Sequence, residues 1–291
     1  MTSLGQDLRY ALRSLTRSPG FTLVAVATLA LGIGANTAVF SIVRGVLLAP
    51  LPYADASRVV VAGTSLPDFE DFRRETASFE SSAVFASNLY NVGFGADTRQ
   101  LLGAVVSSDF FRVIGGVVPR AGRTLGPSDA TTPVAVLSES LARRLYPSEA
   151  AAKDALGETI RLGGRPFTIV GVMPAEFEFP RRQFDFWVPL EHELARAPGQ
   201  KENRSLRIWR LVARLKPEAS LERARAEAET LSDRLQAQYP DTNTGFVFEL
   251  VPLPERLLGA IRPALWTLFA AVGLVLLIAS ANVANLLLAR G

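Results

Sequence analysis

A chain of 291 residues with 31 Lys and Arg against 28 Asp and Glu carries a formal charge of only +3, and 48% of its residues are hydrophobic; one large domain or two modest ones could each bury a core at this length. No cysteine occurs, which excludes disulfide staples and thiolate chemistry, whether redox or metal-binding. The isoelectric point near 9.5 would suit nucleic acid, but no Lys/Arg cluster alternates with aromatics, so the charge is read as the cationic ends of a membrane protein and no nucleic-acid partner is expected.

At the start of the chain, Leu4, Leu8, Ala11, Leu12 and Leu15 follow helical spacing while Arg9, Arg13 and Arg17 step by four along the other side. This predicts an amphipathic helix over residues 1–20, lying on the membrane with its cations against lipid phosphates. Ser18-Pro19-Gly20 ends it. Residues 21–43 then run 23 positions without a charge, about 35 Å as a helix and enough to cross a hydrocarbon core of about 30 Å. A signal peptide is the competing reading, since Ala25-Val26-Ala27 has the form of a cleavage site. That triplet lies inside the apolar run instead of after it, and the run exceeds an h-region in length.

Gly32-Ile33-Gly34 in this span looks like the start of a dinucleotide-binding loop, with Asp55 further on. The third glycine of that fingerprint would fall at Thr37, and Asp55 stands in LPYADAS, away from any strand end. Phosphate binding is therefore set aside. In a membrane helix the same stretch makes sense: Ala30, Gly34 and Ala38 step by four and form a small-residue face that lets another helix approach. Asn36, Thr37 and Ser41 add polar groups that need partners in an apolar medium.

Residues 44–262 read as a folded, water-facing domain. RVVVAGT predicts a strand. Pro67, Asp68, Glu70 and Asp71 predict a first helical turn, with Phe69, Phe72 and Phe79 as its apolar stripe and the acids as solvated helix-start charges. RQLLGAVVS then reads as a strand running into the helix SDFFRVIG, and TPVAVLS as a strand leading to the helix ESLARRLY. GETIRLGGRPFTIVGVM reads as a hairpin turning at Gly163-Gly164. LRIWRLVARL predicts a further strand. Ser220 should cap a long helix whose stripe is Leu221, Ala224, Ala228, Leu231 and Leu235, and GFVFELVPL predicts a last strand. Strands alternating with helices imply an α+β fold, a mixed α/β core in two lobes.

Residues 264–289 form a second uncharged run of 26 positions, again long enough to span over about residues 263–289. Ala281, Asn285 and Ala289 step by four, and Asn282 and Asn285 are three apart on one side, so this helix too carries a packing face. Arg9, Arg13 and Arg17 before the first span and Arg290 after the second place both termini in the cytoplasm and the domain outside it, Arg44 counting the other way.

Catalytic devices are missing from the pattern. The single histidine, His192, is expected in an exposed loop, and His192-Glu193-Leu194-Ala195 fails to complete a zinc motif because Arg196 stands in the fifth position. No G-x-x-x-x-G-K-[S/T] loop occurs for ATP. No catalytic, cofactor or metal site is expected, and the chain is read as a non-enzyme.

Together, DLRYALRSLTRSPGFTLVAVATLALGIGANTAVFSIVRGVLLAPLPY, VVSSDFFRVIGGVVPRAGRTL, LGETIRLGGRPFTIVGVMPAEFEFP, FDFWVPL and the closing RPALWTLFAAVGLVLLIASANVANLLLARG resemble the permeases of MacB/FtsX-type ABC transporters that carry a MacB-like periplasmic core domain. The resemblance implies a subunit of the bacterial cytoplasmic membrane that converts ATP hydrolysis on a separate ABC ATPase subunit into movement of the outer domain, for export or efflux. It also implies that the outer domain engages a substrate or a partner protein in the periplasm, and the packing faces on both helices imply a homodimer or assembly with further permease helices. Members of the family continue past the second helix, so an N-terminal half or a reduced protein is expected. Rival readings are a two-span sensor or adaptor with no ATPase, and a membrane-tethered hydrolase.

Overall fold

The computed structural model describes residues 19–45, 51–94, 97–177, 179 and 184–288. Arg9, Arg13 and Arg17, with most of the expected amphipathic helix, lie outside the described residues. Two compact units result: Leu51–Arg256, and the terminal segments on either side of it taken together.

In chain order, helix α1 (Pro19–Val43) comes first, then strand β1 (Val59–Thr64), helix α2 (Leu66–Glu75) and strands β2 (Phe79–Phe94) and β3 (Asp97–Val106). Helix α3 (Phe110–Ile114), strands β4 (Ala121–Gly122) and β5 (Val134–Ser138), and helices α4 (Glu139–Leu145) and α5 (Ala151–Asp154) follow. Next come strands β6 (Thr159–Leu162), β7 (Arg165–Met173) and β8 (Phe186–Pro189), helices α6 (Leu190–Leu194) and α7 (Gly199–Glu202), and strand β9 (Trp209–Leu215). Helices α8 (Leu221–Gln238) and α9 (Pro240–Asn243), strand β10 (Val251–Pro252), and helices α10 (Leu253–Leu258) and α11 (Arg262–Leu288) complete the series.

Among the described residues, ten strands join one mixed sheet in the order β10-β1-β9-β2-β3-β8-β5-β7-β4, with β6 pairing β2 and β7. The β3–β8 and β5–β7 pairs are parallel and the others antiparallel. The two lobes expected from the sequence are thus halves of one sheet, joined where β3 runs beside β8. Alternation along each strand sorts side chains between its two faces. Val60 and Ala62 of β1 and Leu211, Ala213 and Leu215 of β9 pack with Phe69 and Phe72 of α2 and Ala224, Ala228, Leu231 and Leu235 of α8. Arg214 of β9 points the other way, toward α3.

Serine caps start three helices. Ser65 Oγ accepts from Asp68 N at 3.2 Å, Ser138 Oγ from Leu141 N at 3.1 Å, and Ser220 Oγ from Arg223 N at 3.2 Å, each satisfying an orphan donor of a first turn. The β6–β7 hairpin turns at Gly163 (φ 57°) and Gly164 (φ 81°), the paired left-handed geometry that suits the twist of two strands.

Two expectations fail. Phe79 opens β2 instead of ending the stripe of α2, although its ring still meets Phe72 at 4.9 Å. GFVFELVPL contributes only Val251 and Pro252 to the sheet. Two of its other backbone groups bond to side chains of α8: Phe248 N donates to Ser232 Oγ at 3.0 Å, and the Leu250 carbonyl accepts from Arg225 Nη2 at 3.1 Å. Phe248 and Leu250 are buried all the same, so the apolar alternation was correct and the ladder was not.

Candidate functional site

The domain begins at a clamp. Tyr53 is buried edge-on to Phe177 and Phe179, both at 6.1 Å, in an aromatic nest with Phe85, Phe110, Phe111 and Trp187. One residue on, the Ala54 carbonyl accepts from Arg214 Nη1 at 2.7 Å. The other donors of Arg214 go to the last carbonyls of α3, Nε to Val113 at 2.9 Å and Nη2 to Ile114 at 2.6 Å. A cation at a helix C-terminus is well placed electrostatically. Burial pulls the Arg214 guanidinium below the usual arginine range, and Glu80, 3.8 Å away, opposes this. Gly116 follows α3 at φ 77°, and a Cβ there would strike the Ala54 backbone nitrogen; only glycine both adopts that angle and lets the chains meet. Arg58 extends the clamp, its Nε donating to the Leu215 carbonyl at 3.0 Å. Both ends of the domain meet at β1, because β10 pairs Val251 with Val61 and Pro252 with Val60.

A second cluster overturns the reading of the acids of α2. Asp68 is fully buried and Asp71 nearly so. Asp68 accepts from Arg204 Nη1 and Arg207 Nη1, each at 2.5 Å, and from Asn243 Nδ2 at 3.0 Å, while Asp71 accepts from Arg204 at 2.7 Å. Each guanidinium also lies over a ring, Arg204 on Tyr239 at 3.9 Å and Arg207 on Phe246 at 3.6 Å. Burial works against the charge on Arg204, and the hydrogen bonds to Asp71 and Asp68 outweigh it, raising its pKa. Of the acids at this helix start, Glu70 alone is exposed. The arginines come from more than 130 positions away, so local spacing could not reveal the burial.

His192 lies on α6, not in an exposed loop. It is half-buried, with Nε2 3.0 Å from Arg165 Nη1 and its ring 5.1 Å from Phe167. Glu193 pairs with the same arginine. Among the described residues no group of three or more His, Cys, Asp or Glu stands close enough to hold a metal ion. A shallow cavity of about 170 Å³ beside Phe79 and Ser82 includes Arg73 and Arg112, but these already pair with Glu70 at 3.2 Å and Asp109 at 3.0 Å.

The two apolar helices pack against each other within their own unit. Thr22–Val43 and Arg262–Asn285 are each long and apolar enough to cross a membrane. The covered positions include Leu29, Gly32, Asn36, Val39 and Val43 in α1, where Thr22 and Thr28 are also partly covered, and Leu265, Phe269, Val272, Leu276, Ala279 and Val283 in α11, where Gly273 is too. Both series alternate steps of three and four, the seam of a coiled coil. Leu276 Cδ1 lies 2.9 Å from where a Cβ on Gly32 would stand, whereas nothing lies within 4 Å of such a position on Gly34. Ala30, Gly34 and Ala38 are exposed on the opposite side of α1, Asn36 is half-covered at the seam, and Asn282 and Asn285 point outward from α11. Thr37 and Ser41 need no second helix: their hydroxyls donate to Ile33 and Thr37 carbonyls, each at 2.8 Å.

A mixed α/β domain stands between two helices long and apolar enough to cross a membrane. Residues 22–231 match the model of the MacB-like periplasmic core domain. The chain belongs to that family, a component of ABC transporter permeases. The periplasmic region of MacB from Actinobacillus actinomycetemcomitans has a similar fold, with TM-score 0.52 and 14% identity over 74% of this chain and 94% of that one. A domain of a proposed permease protein from Porphyromonas gingivalis is similar with TM-score 0.50 and 18% identity over 69% and 91%. The extracellular domain of YknZ, an ABC-type transporter of Gram-positive bacteria, aligns at TM-score 0.48 and 12% identity over 65% and 89%. No curated protein matches the chain.

Proposed function

We propose that this chain belongs to a permease that couples ATP hydrolysis on a separate ABC ATPase to movement of its outer domain during export or efflux. One observation carries the reading: a domain of the MacB-like family is inserted between two apolar helices that pair with each other, so movement of either helix reaches the domain through a covalent connection. In this reading residues 1–20 lie on the inner membrane surface with Arg9, Arg13 and Arg17 against lipid phosphates. Residues 21–43 and 263–289 cross the cytoplasmic membrane, residues 44–262 lie outside, and both termini are cytoplasmic. The outward face of Ala30, Gly34 and Ala38, with Asn282 and Asn285, receives a second copy or further permease helices. A periplasmic protein engages the outer domain.

Affinity capture of the chain from membranes of its native cell tests the coupling. An ABC ATPase should co-purify, and repeated capture without any nucleotide-binding protein would sink the idea in favour of a two-span sensor. The absence of native cysteine makes orientation simple to read. Val118→Cys, at an 80% exposed position, should react with a membrane-impermeant maleimide in intact spheroplasts; labelling only after lysis would reverse the topology.

A further inference from the structure

We propose that the end of the helix pair bearing Arg44 and Arg262 binds the phosphate headgroup of an anionic phospholipid, of the phosphatidylglycerol class. The inference rests on reading α1 and α11 as membrane spans, and it holds for either orientation.

The helices run antiparallel. Gly32 meets Leu276, and eight residues later in α1 the ring of Phe40 lies 6.3 Å from Phe269, seven residues earlier in α11. Continuing that register sets Arg44 opposite Leu265, and Arg262 three residues beyond, about 4.5 Å along the axis. The two arginines therefore share one end. Both are exposed, and neither forms an ion pair or hydrogen bond among the described residues. No acidic residue occurs anywhere in 19–50 or 257–291, so no carboxylate of the two described helices neutralises them.

Just inside this end stands an aromatic ladder. Trp266, half exposed, lies edge-on to Phe269 at 6.1 Å, and Phe269 faces Phe40. Indole rings settle where acyl chains give way to headgroups. That depth sets the level of the membrane surface and puts both guanidiniums at phosphate height, within reach of their flexible stems. A zwitterionic headgroup brings its own ammonium to compete for its phosphate. An anionic headgroup leaves the phosphate to the planar, multi-donor guanidiniums.

Quenching of Trp266 by brominated lipid in nanodiscs holding the full chain tests this, because Trp187 and Trp209 are buried in the other unit. At equal mole fraction, brominated phosphatidylglycerol should quench more than brominated phosphatidylcholine, and the preference should weaken at high salt. Replacing Arg44→Gln and Arg262→Gln should lower the enrichment on the order of fivefold for each arginine, and the double Lys variant should keep most of it. Equal quenching of the unaltered chain by both lipids, or a preference that survives both Gln substitutions, overturns the proposal while leaving the spans in place. Failure of both lipids to quench overturns the spans themselves.

Discussion

Arg214 and Ala54 stand 160 positions apart, yet Nη1 of the arginine donates to the carbonyl oxygen of the alanine at 2.7 Å. This joins the first turn of the domain to a strand held between β1 and β2. The same guanidinium holds the C-terminal carbonyls of α3, so one buried cation fastens three segments that share no local sequence.

Replacing Arg214→Met should therefore cost more than an ordinary surface change. The side chain is only 7% exposed, and methionine would leave three acceptors without their charged donor, a loss of about 3 kcal/mol. Urea unfolding of the full chain in detergent reads the cost, and limited proteolysis should show new cleavage near residues 51–58. Arg73→Met, at an exposed pair, should stay within about 0.5 kcal/mol. Equal effects of the two substitutions would remove Arg214 from the clamp.

Much of this architecture is legible locally. The cap at Ser220, the Gly163-Gly164 turn and the stripe of α8 all depend on residues within a few positions of one another, where sterics and short-range hydrogen bonds decide. β2 is different. FESSAVFASNLYNVGF is broken by serine, asparagine and glycine, and it is a strand because β9 pairs it at Phe79–Phe85 and β3 along Phe85–Phe94. The clamp and the buried Asp68 are hidden for the same reason, since their partners are 100 or more positions away. At α1 the spacing rule found a small-residue face, Ala30-Gly34-Ala38, but a one-chain pattern does not say which face the partner in the same chain takes. The seam falls on Gly32 instead.

Asp68 should be the costliest acid of α2 to remove. Its carboxylate is the shared acceptor of Arg204, Arg207 and Asn243. Asp68→Ala leaves two largely buried cations facing each other across the vacated site, a penalty of about 3–5 kcal/mol. Glu70→Ala, at an exposed side chain, should be nearly silent by the same unfolding measurement. A mild Asp68→Ala would mean that solvent reaches the arginines.

Acid should weaken the domain partly through Asp129. Its carboxylate accepts from Arg123 Nη1 at 2.5 Å, Arg123 Nη2 at 2.7 Å and Gly126 N at 2.9 Å. The arginine hydrogen bonds hold its pKa below the usual carboxylate range. A depressed folded-state pKa gives stability that is present above the unfolded value of about 3.9 and is lost as pH falls through the folded one. Asp129→Asn should therefore lower Tm near pH 6, and the gap to the unaltered chain should narrow steadily below about pH 4. A gap that stays constant down to pH 2 would contradict this account.

Gly32 and Gly34 should separate two kinds of helix contact. Leucine at 32 would drive into Leu276, whereas a Cβ at 34 has no atom within 4 Å among the described residues. With no native cysteine, a Phe40→Cys/Phe269→Cys pair reports the seam within one chain, and Ala38→Cys reports contact between copies. Gly32→Leu should depress the first crosslink and Gly34→Leu the second, each by about fivefold or more if close small-residue packing contributes about 1–2 kcal/mol. The two effects should not cross over, because the faces lie on opposite sides of α1. If Ala38→Cys crosslinks equally well with leucine at 34, the outward glycine does not serve association, and that face of the helix meets only lipid.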